Sequence, residues 1–86
     1  MMHYAGLDVS LKETAICVVD EKGFILREGK TASEPDAIAQ WLASVEVDIN
    51  KVGLEIGGLA RWLYTELRAR GVRAVCVDPR IARRSG

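Results

Sequence analysis

The chain has 86 residues, 49% of them hydrophobic and 28% charged, a composition that suits one small globular domain and leaves no room for two. Twelve basic and twelve acidic side chains cancel, so overall charge selects no polyanionic partner. No apolar run approaches the ~18 residues of a membrane span and no signal peptide is visible, so a cytoplasmic location is expected. In a reducing compartment Cys17 and Cys76, each inside an apolar run, read as small buried hydrophobes.

Tyr4 to Asp8 is a short apolar run ending on a carboxylate, and it reads as the first strand. A polar break follows Val9-Ser10-Leu11, and Thr14 to Asp20 is β-rich, so the two runs predict a hairpin. Glu21-Lys22-Gly23 makes the next turn, with Gly23 free to take positive φ, and Phe24 to Gly29 reads as a third strand. Ser33-Glu34-Pro35-Asp36 is a helix start: Ser33 can cap, Pro35 suits the first turn, and Asp36 stands where a capping-box acid would. Ile38, Trp41, Leu42 and Val45 then form one apolar stripe of a helix over 35–45.

Val52 to Ile56 predicts a fourth strand, again with one acid, Glu55, and Gly57-Gly58 breaks it. Leu59, Trp62, Leu63 and Leu67 give a second helical stripe, closed by Gly71 after arginines that suit a helix C-terminus. Both tryptophans fall in these stripes and are expected in the core. Val72 to Val77 is a fifth strand, and Asp78-Pro79 reads as the cap and first position of a third helix that the sequence cuts off at Gly86.

The order β-β-β-α-β-α-β predicts a mixed five-stranded sheet ordered 3-2-1-4-5, with strand 4 parallel to strand 1. Both crossovers step the same way, so right-handedness puts both helices on one face, the Val/Leu/Ile face of the strands. The other face is left bare, and burying it predicts a homo-oligomer. That bare face carries Gly6, Asp8, Gly53 and Glu55 by strand parity. Two neighbouring carboxylates repel unless a cation holds them, and oxygen-only ligands favour Mg²⁺ or Mn²⁺. Two readings of Asp8 and Glu55 stay open: a metal site for phosphoryl transfer, or a turn-capping Asp beside a solvent-facing Glu.

Gly6-Leu7-Asp8-Val9-Ser10, the run from Thr14 to Asp20, Gly53-Leu54-Glu55, Trp62-Leu63-Tyr64 and Val75-Cys76-Val77-Asp78 together resemble the N-terminal domain of IS110-type (DEDD) transposases. That domain has the fold of RuvC and ribonuclease H, and the resemblance runs along nearly all of residues 1–86. It implies a ribonuclease H-like domain, the N-terminal part of a longer Mg²⁺-dependent DNA recombinase of an insertion sequence. Asp8 and Glu55 would be its first two catalytic acids and metal ligands, and element and target DNA its partners, with a structured guide RNA. Arg80, Arg83 and Arg84 would then contact nucleic acid. A different class shares much of the pattern. The N-terminal lobe of actin-like ATPases and sugar kinases also opens with strand-Asp-turn-strand, although its turn usually carries glycine, which Val9-Ser10-Leu11-Lys12 lacks. A Holliday-junction-resolvase-like nuclease would share the fold and the first Asp, and a non-catalytic binding module would keep the acids without using them.

Overall fold

A computed structural model describes residues 2–55 and 58–77. The elements are β1 (His3–Val9), β2 (Glu13–Asp20), β3 (Ile25–Ala32), α1 (Pro35–Ala43), β4 (Lys51–Glu55), α2 (Gly58–Ala69) and β5 (Ala74–Val77). They build one sheet in the order β3-β2-β1-β4-β5, as strand pattern and crossover handedness predict. β1 pairs antiparallel with β2 and parallel with β4, which makes it the central strand. The expected third helix at Asp78-Pro79, the end of β4 at Ile56, and Arg80, Arg83 and Arg84 lie outside the described residues.

Alternation along the strands sorts the side chains cleanly. Ala5, Leu7, Ile16, Val18, Val52, Leu54 and Ala74 meet Ile38 and Leu42 of α1 and Ala60, Leu63 and Leu67 of α2 in one core on one side of the sheet. No helix among the described residues is long and apolar enough to cross a membrane.

Two turns form as their glycines require. Gly23 takes φ 91°, and the Asp20 carboxylate accepts from the amides of Lys22 (2.9 Å) and Phe24 (3.0 Å), closing the β2–β3 turn. Gly71 takes φ 84° past the end of α2, where the Val72 amide donates to the Leu67 carbonyl and the Gly71 amide to Arg68, a Schellman closure.

Four local expectations need correction. Ser33 does not cap α1: the flanking residue is Glu34, with no side-chain cap bond, and the Ser33 hydroxyl donates instead to the carbonyl of Ser10. Asp36 completes no capping box. It accepts from Nε of Arg70 at 2.7 Å, tying α1 to α2, while Arg70 also reaches Glu66 at 2.9 Å. The bond to Asp36 and then that to Glu66 hold the Arg70 guanidinium above its ordinary pKa. Trp62 is exposed because α2 seats only the narrow stripe Ala60-Leu63-Leu67, leaving position 62 on its flank. Cys17 is half-buried and Cys76 exposed, the first on the helix-free face and the second on the edge strand.

The third strand is also longer than its sequence suggests. Gly29 does not end β3; it clears a seat for the Trp41 ring, whose Cζ2 and Nε1 would stand 3.2 Å from any Cβ placed there. Arg27, on the same face, lies over that ring at 5.2 Å and donates to the Ser44 carbonyl at the end of α1.

Candidate functional site

The helix-free face of the sheet has a floor of small residues: Gly6 on β1, Gly53 on β4, and Ala15 and Cys17 on β2. A trough of about 640 Å³ runs over them, rimmed by Asp8, Glu55, Glu28 and Lys30. The space above Gly6 is open, with nothing within 4 Å of a notional Cβ. Strands with larger side chains at these positions would fill the trough, so the glycines keep the sheet backbone accessible.

Asp8 and Glu55 stand together as strand parity requires. β1 and β4 run parallel with Gly6 opposite Gly53 and Leu7 opposite Leu54, and one step further the register brings Asp8 beside Glu55. Neighbouring strands lie about 4.8 Å apart, so the two carboxylates leave the same row of the same face. Both are exposed, and neither has a salt-bridge partner among the described residues. They also flank a second, smaller cleft of about 210 Å³, formed with Val9 and the first residues of α2, Gly58, Leu59 and Ala60.

The position follows from topology. From β1 the chain turns one way along the sheet, into β2, and from β4 it crosses the other way, through α2 into β5. Their carboxyl ends therefore diverge and leave a crevice, the kind of place where open α/β sheets bind ligands.

On the other side of Asp8 a third hollow, about 280 Å³, is lined by Ser10, Lys12, Glu13, Ala15 and Lys30. Its wall is the β1–β2 turn, which is held from below. Ser33 donates its amide to the Lys12 carbonyl (3.0 Å) and its hydroxyl to the Ser10 carbonyl, and it shares a 2.8 Å bond with the Thr14 hydroxyl. Thr14 is 0% and Ser33 8% exposed, so this small polar cluster is sealed. The sequence does not reveal it, because a serine two residues before a proline carries the same local signature whether it caps a helix or ties down a distant turn.

The carboxylate pair suits Mg²⁺ or Mn²⁺ in ligand type: two hard oxygen donors on open backbone, with most of the coordination shell left to water or ligand. Among the described residues no group of three His, Cys, Asp or Glu side chains could hold a metal ion. Two carboxylates alone would make up only part of such a shell.

A ROK-family glucokinase from Streptomyces griseus, solved in complex with glucose and AMPPNP, matches the chain with a TM-score of 0.65. The likeness is one of fold. The two share 24% sequence identity, and the match covers 88% of this chain and 33% of the glucokinase, so the chain spans about a third of that enzyme's length. No family model matches the sequence, and no curated protein matches it.

This corrects the expectation of an IS110-type transposase with a RuvC-like domain. The structural likeness is to a sugar kinase, the second class that the strand-Asp-turn-strand pattern fits, and nothing in the family or curated comparisons supports a transposase. The physical reason lies in what the motifs encode. Gly6-Leu7-Asp8 before a hairpin and Gly53-Leu54-Glu55 before a glycine break specify a central strand, its parallel neighbour and an acid at the end of each. Those features report a topology, and topology does not fix chemistry. The DNA and guide-RNA partners rested on that resemblance and on Arg80, Arg83 and Arg84, which lie outside the described residues.

Proposed function

We propose that the chain forms the phosphate-binding part of a nucleotide-dependent phosphotransferase with the actin-like ATPase fold, the class that includes sugar kinases. The observation that carries this reading is the pairing of Asp8 with Glu55 at the diverging ends of two parallel strands, beside an open trough. The fold likeness to a glucokinase supports it.

In this reading Asp8 and Glu55 hold a hydrated Mg²⁺ or Mn²⁺ that accompanies the nucleotide phosphates. When bound, the ion neutralises charge on the phosphate oxygens and favours transfer of the terminal phosphoryl group. The protein's own part is positioning. Gly6 and Gly53 keep side chains out of the path, and the rigid centre of the sheet fixes the spacing of the carboxylates. Seating on β1 and β4 rather than on loops gives that spacing its precision.

The experiment is a coupled assay for ADP release from ATP by the protein that carries this chain, with Mg²⁺ present and after chelation. Turnover should need the metal, and Asp8→Asn should lower it about a hundredfold or more while the melting temperature stays within a degree or two. An Asp8→Asn protein with undiminished turnover would remove the assignment.

A further inference from the structure

Proteins that cradle phosphate with a turn do so through a nest of amides, which needs backbone alternating between right- and left-handed helical conformations. The β1–β2 turn cannot supply one. No non-glycine residue among those described has positive φ, and Ser10, Leu11 and Lys12 include no glycine. Several of its backbone groups are already engaged: the Ser10 amide donates to the Glu13 carbonyl (3.1 Å), and the carbonyls of Ser10 and Lys12 accept from Ser33. If an anion binds beside Asp8, side chains must meet it.

The register shows which ones. Asp8 pairs with Ala15, and Ala15 pairs with Lys30, so one row across β3, β2, β1 and β4 reads Lys30, Ala15, Asp8, Glu55. Lys30 and Asp8 stand two strand spacings apart, about 10 Å. Between them is only the methyl group of Ala15, over which the flexible four-carbon stem of a lysine can lie. Lys30 lines both the trough and the hollow beside it, and Lys12 lines the hollow from the turn. Neither lysine has a salt-bridge partner among the described residues.

We infer that Lys30, assisted by Lys12, is the phosphate ligand of this site, and that the row takes a linear polyphosphate with its cation over Asp8 and Glu55 and its far end at Lys30. This deepens the reading of the carboxylate pair given above and rests on it for the cation only. Lysine acts on phosphate as a point charge, which suits a flat strand face that offers no fork and no amide cradle. The charge balance also makes the cation necessary. Lys12 and Lys30 face Asp8, Glu13, Glu28 and Glu55 across the hollow and the trough, so the bare site carries two net negative charges and repels an anion until a divalent ion on the carboxylates cancels them.

Inorganic tripolyphosphate is the probe, because it tests the row without any base or sugar subsite. Calorimetric titration at low salt compares wild type, Lys30→Gln, Lys12→Gln and Asp8→Asn, each with and without Mg²⁺. The expected result is Mg²⁺-dependent binding, weakened about tenfold by Lys30→Gln and less by Lys12→Gln, with melting temperatures unchanged because Lys30 and Lys12 are exposed. Mg²⁺-dependent binding that ignores both lysine substitutions would overturn this inference and leave the carboxylate reading intact. Binding that needs the lysines but neither Mg²⁺ nor Asp8 would overturn the carboxylate reading and the cation half of this inference, leaving Lys30 as the anion ligand. A wild-type protein that binds no tripolyphosphate under either condition would overturn both.

Discussion

Replacing Ser33 by alanine tests whether the β1–β2 turn is tied to the α1 entrance by a sealed hydroxyl cluster. The substitution removes the hydroxyl that donates to the Ser10 carbonyl and bonds Thr14 at 2.8 Å, while the Ser33 amide keeps its bond to Lys12. Thr14 is 0% exposed, so its hydroxyl loses its partner with no access to water. Leaving one buried polar group unsatisfied costs about 1–3 kcal/mol, and about 2 kcal/mol is expected here. Chains of this size have stabilities of roughly 4–13 kcal/mol, so the loss is a substantial fraction and should lower the melting temperature by about 10 °C. Urea titration measures it as a shift in midpoint with an unchanged slope. Thr14→Val completes a cycle: with both hydroxyls gone, the double variant should be more stable than the sum of the single losses predicts, by about 1 kcal/mol. Ser33→Asp separates this account from helix capping. An aspartate caps as well as serine, yet at this 8% exposed site it would face the Ser10 carbonyl and should be worse than alanine. Additive single losses together with a fully stable Ser33→Asp protein would refute the tether.

Leu63→Ala should cost about 3 kcal/mol in the same assay, because Leu63 is 0% exposed and central to the α2 stripe; a cost below about 1 kcal/mol would mean that α2 is not seated on the sheet. Gly29→Ala crowds the Trp41 ring and should lose about 1 kcal/mol, the overpacking outweighing the entropy gained, with a change in tryptophan fluorescence. Gly71→Ala forces a side chain into positive φ and should cost about 1 kcal/mol, whereas Ala69→Ser, at an exposed position two residues earlier, should be nearly silent.

Much of the architecture is legible in the sequence because strand parity and crossover handedness are hard constraints. Alternation in Val52-Gly53-Leu54-Glu55 and in Ala5-Gly6-Leu7-Asp8 fixes which residues face the helices, and two right-handed crossovers then fix the order β3-β2-β1-β4-β5. The same constraints bring Asp8 and Glu55 to one row. What stays hidden depends on contacts between distant segments. The partners of the Ser33 hydroxyl lie 23 and 19 residues away, so its sequence neighbourhood reads only as a helix start. Gly29 looks like a strand breaker until Trp41 is placed on it, and Trp62 looks like core until the width of the α2 seat is known. The family reading failed for a related reason: an acid at each of two strand ends is what this topology permits, and several chemistries use it.

The most direct test of the central claim is paramagnetic broadening of backbone amide NMR signals as Mn²⁺ is added together with ATP. The account predicts broadening centred on Asp8 and Glu55 and reaching Gly6, Val9, Gly53 and Gly58, abolished by Asp8→Asn. Broadening that instead tracks scattered exposed acids such as Glu21, Glu46 and Asp48, and persists in the Asp8→Asn protein, would contradict it.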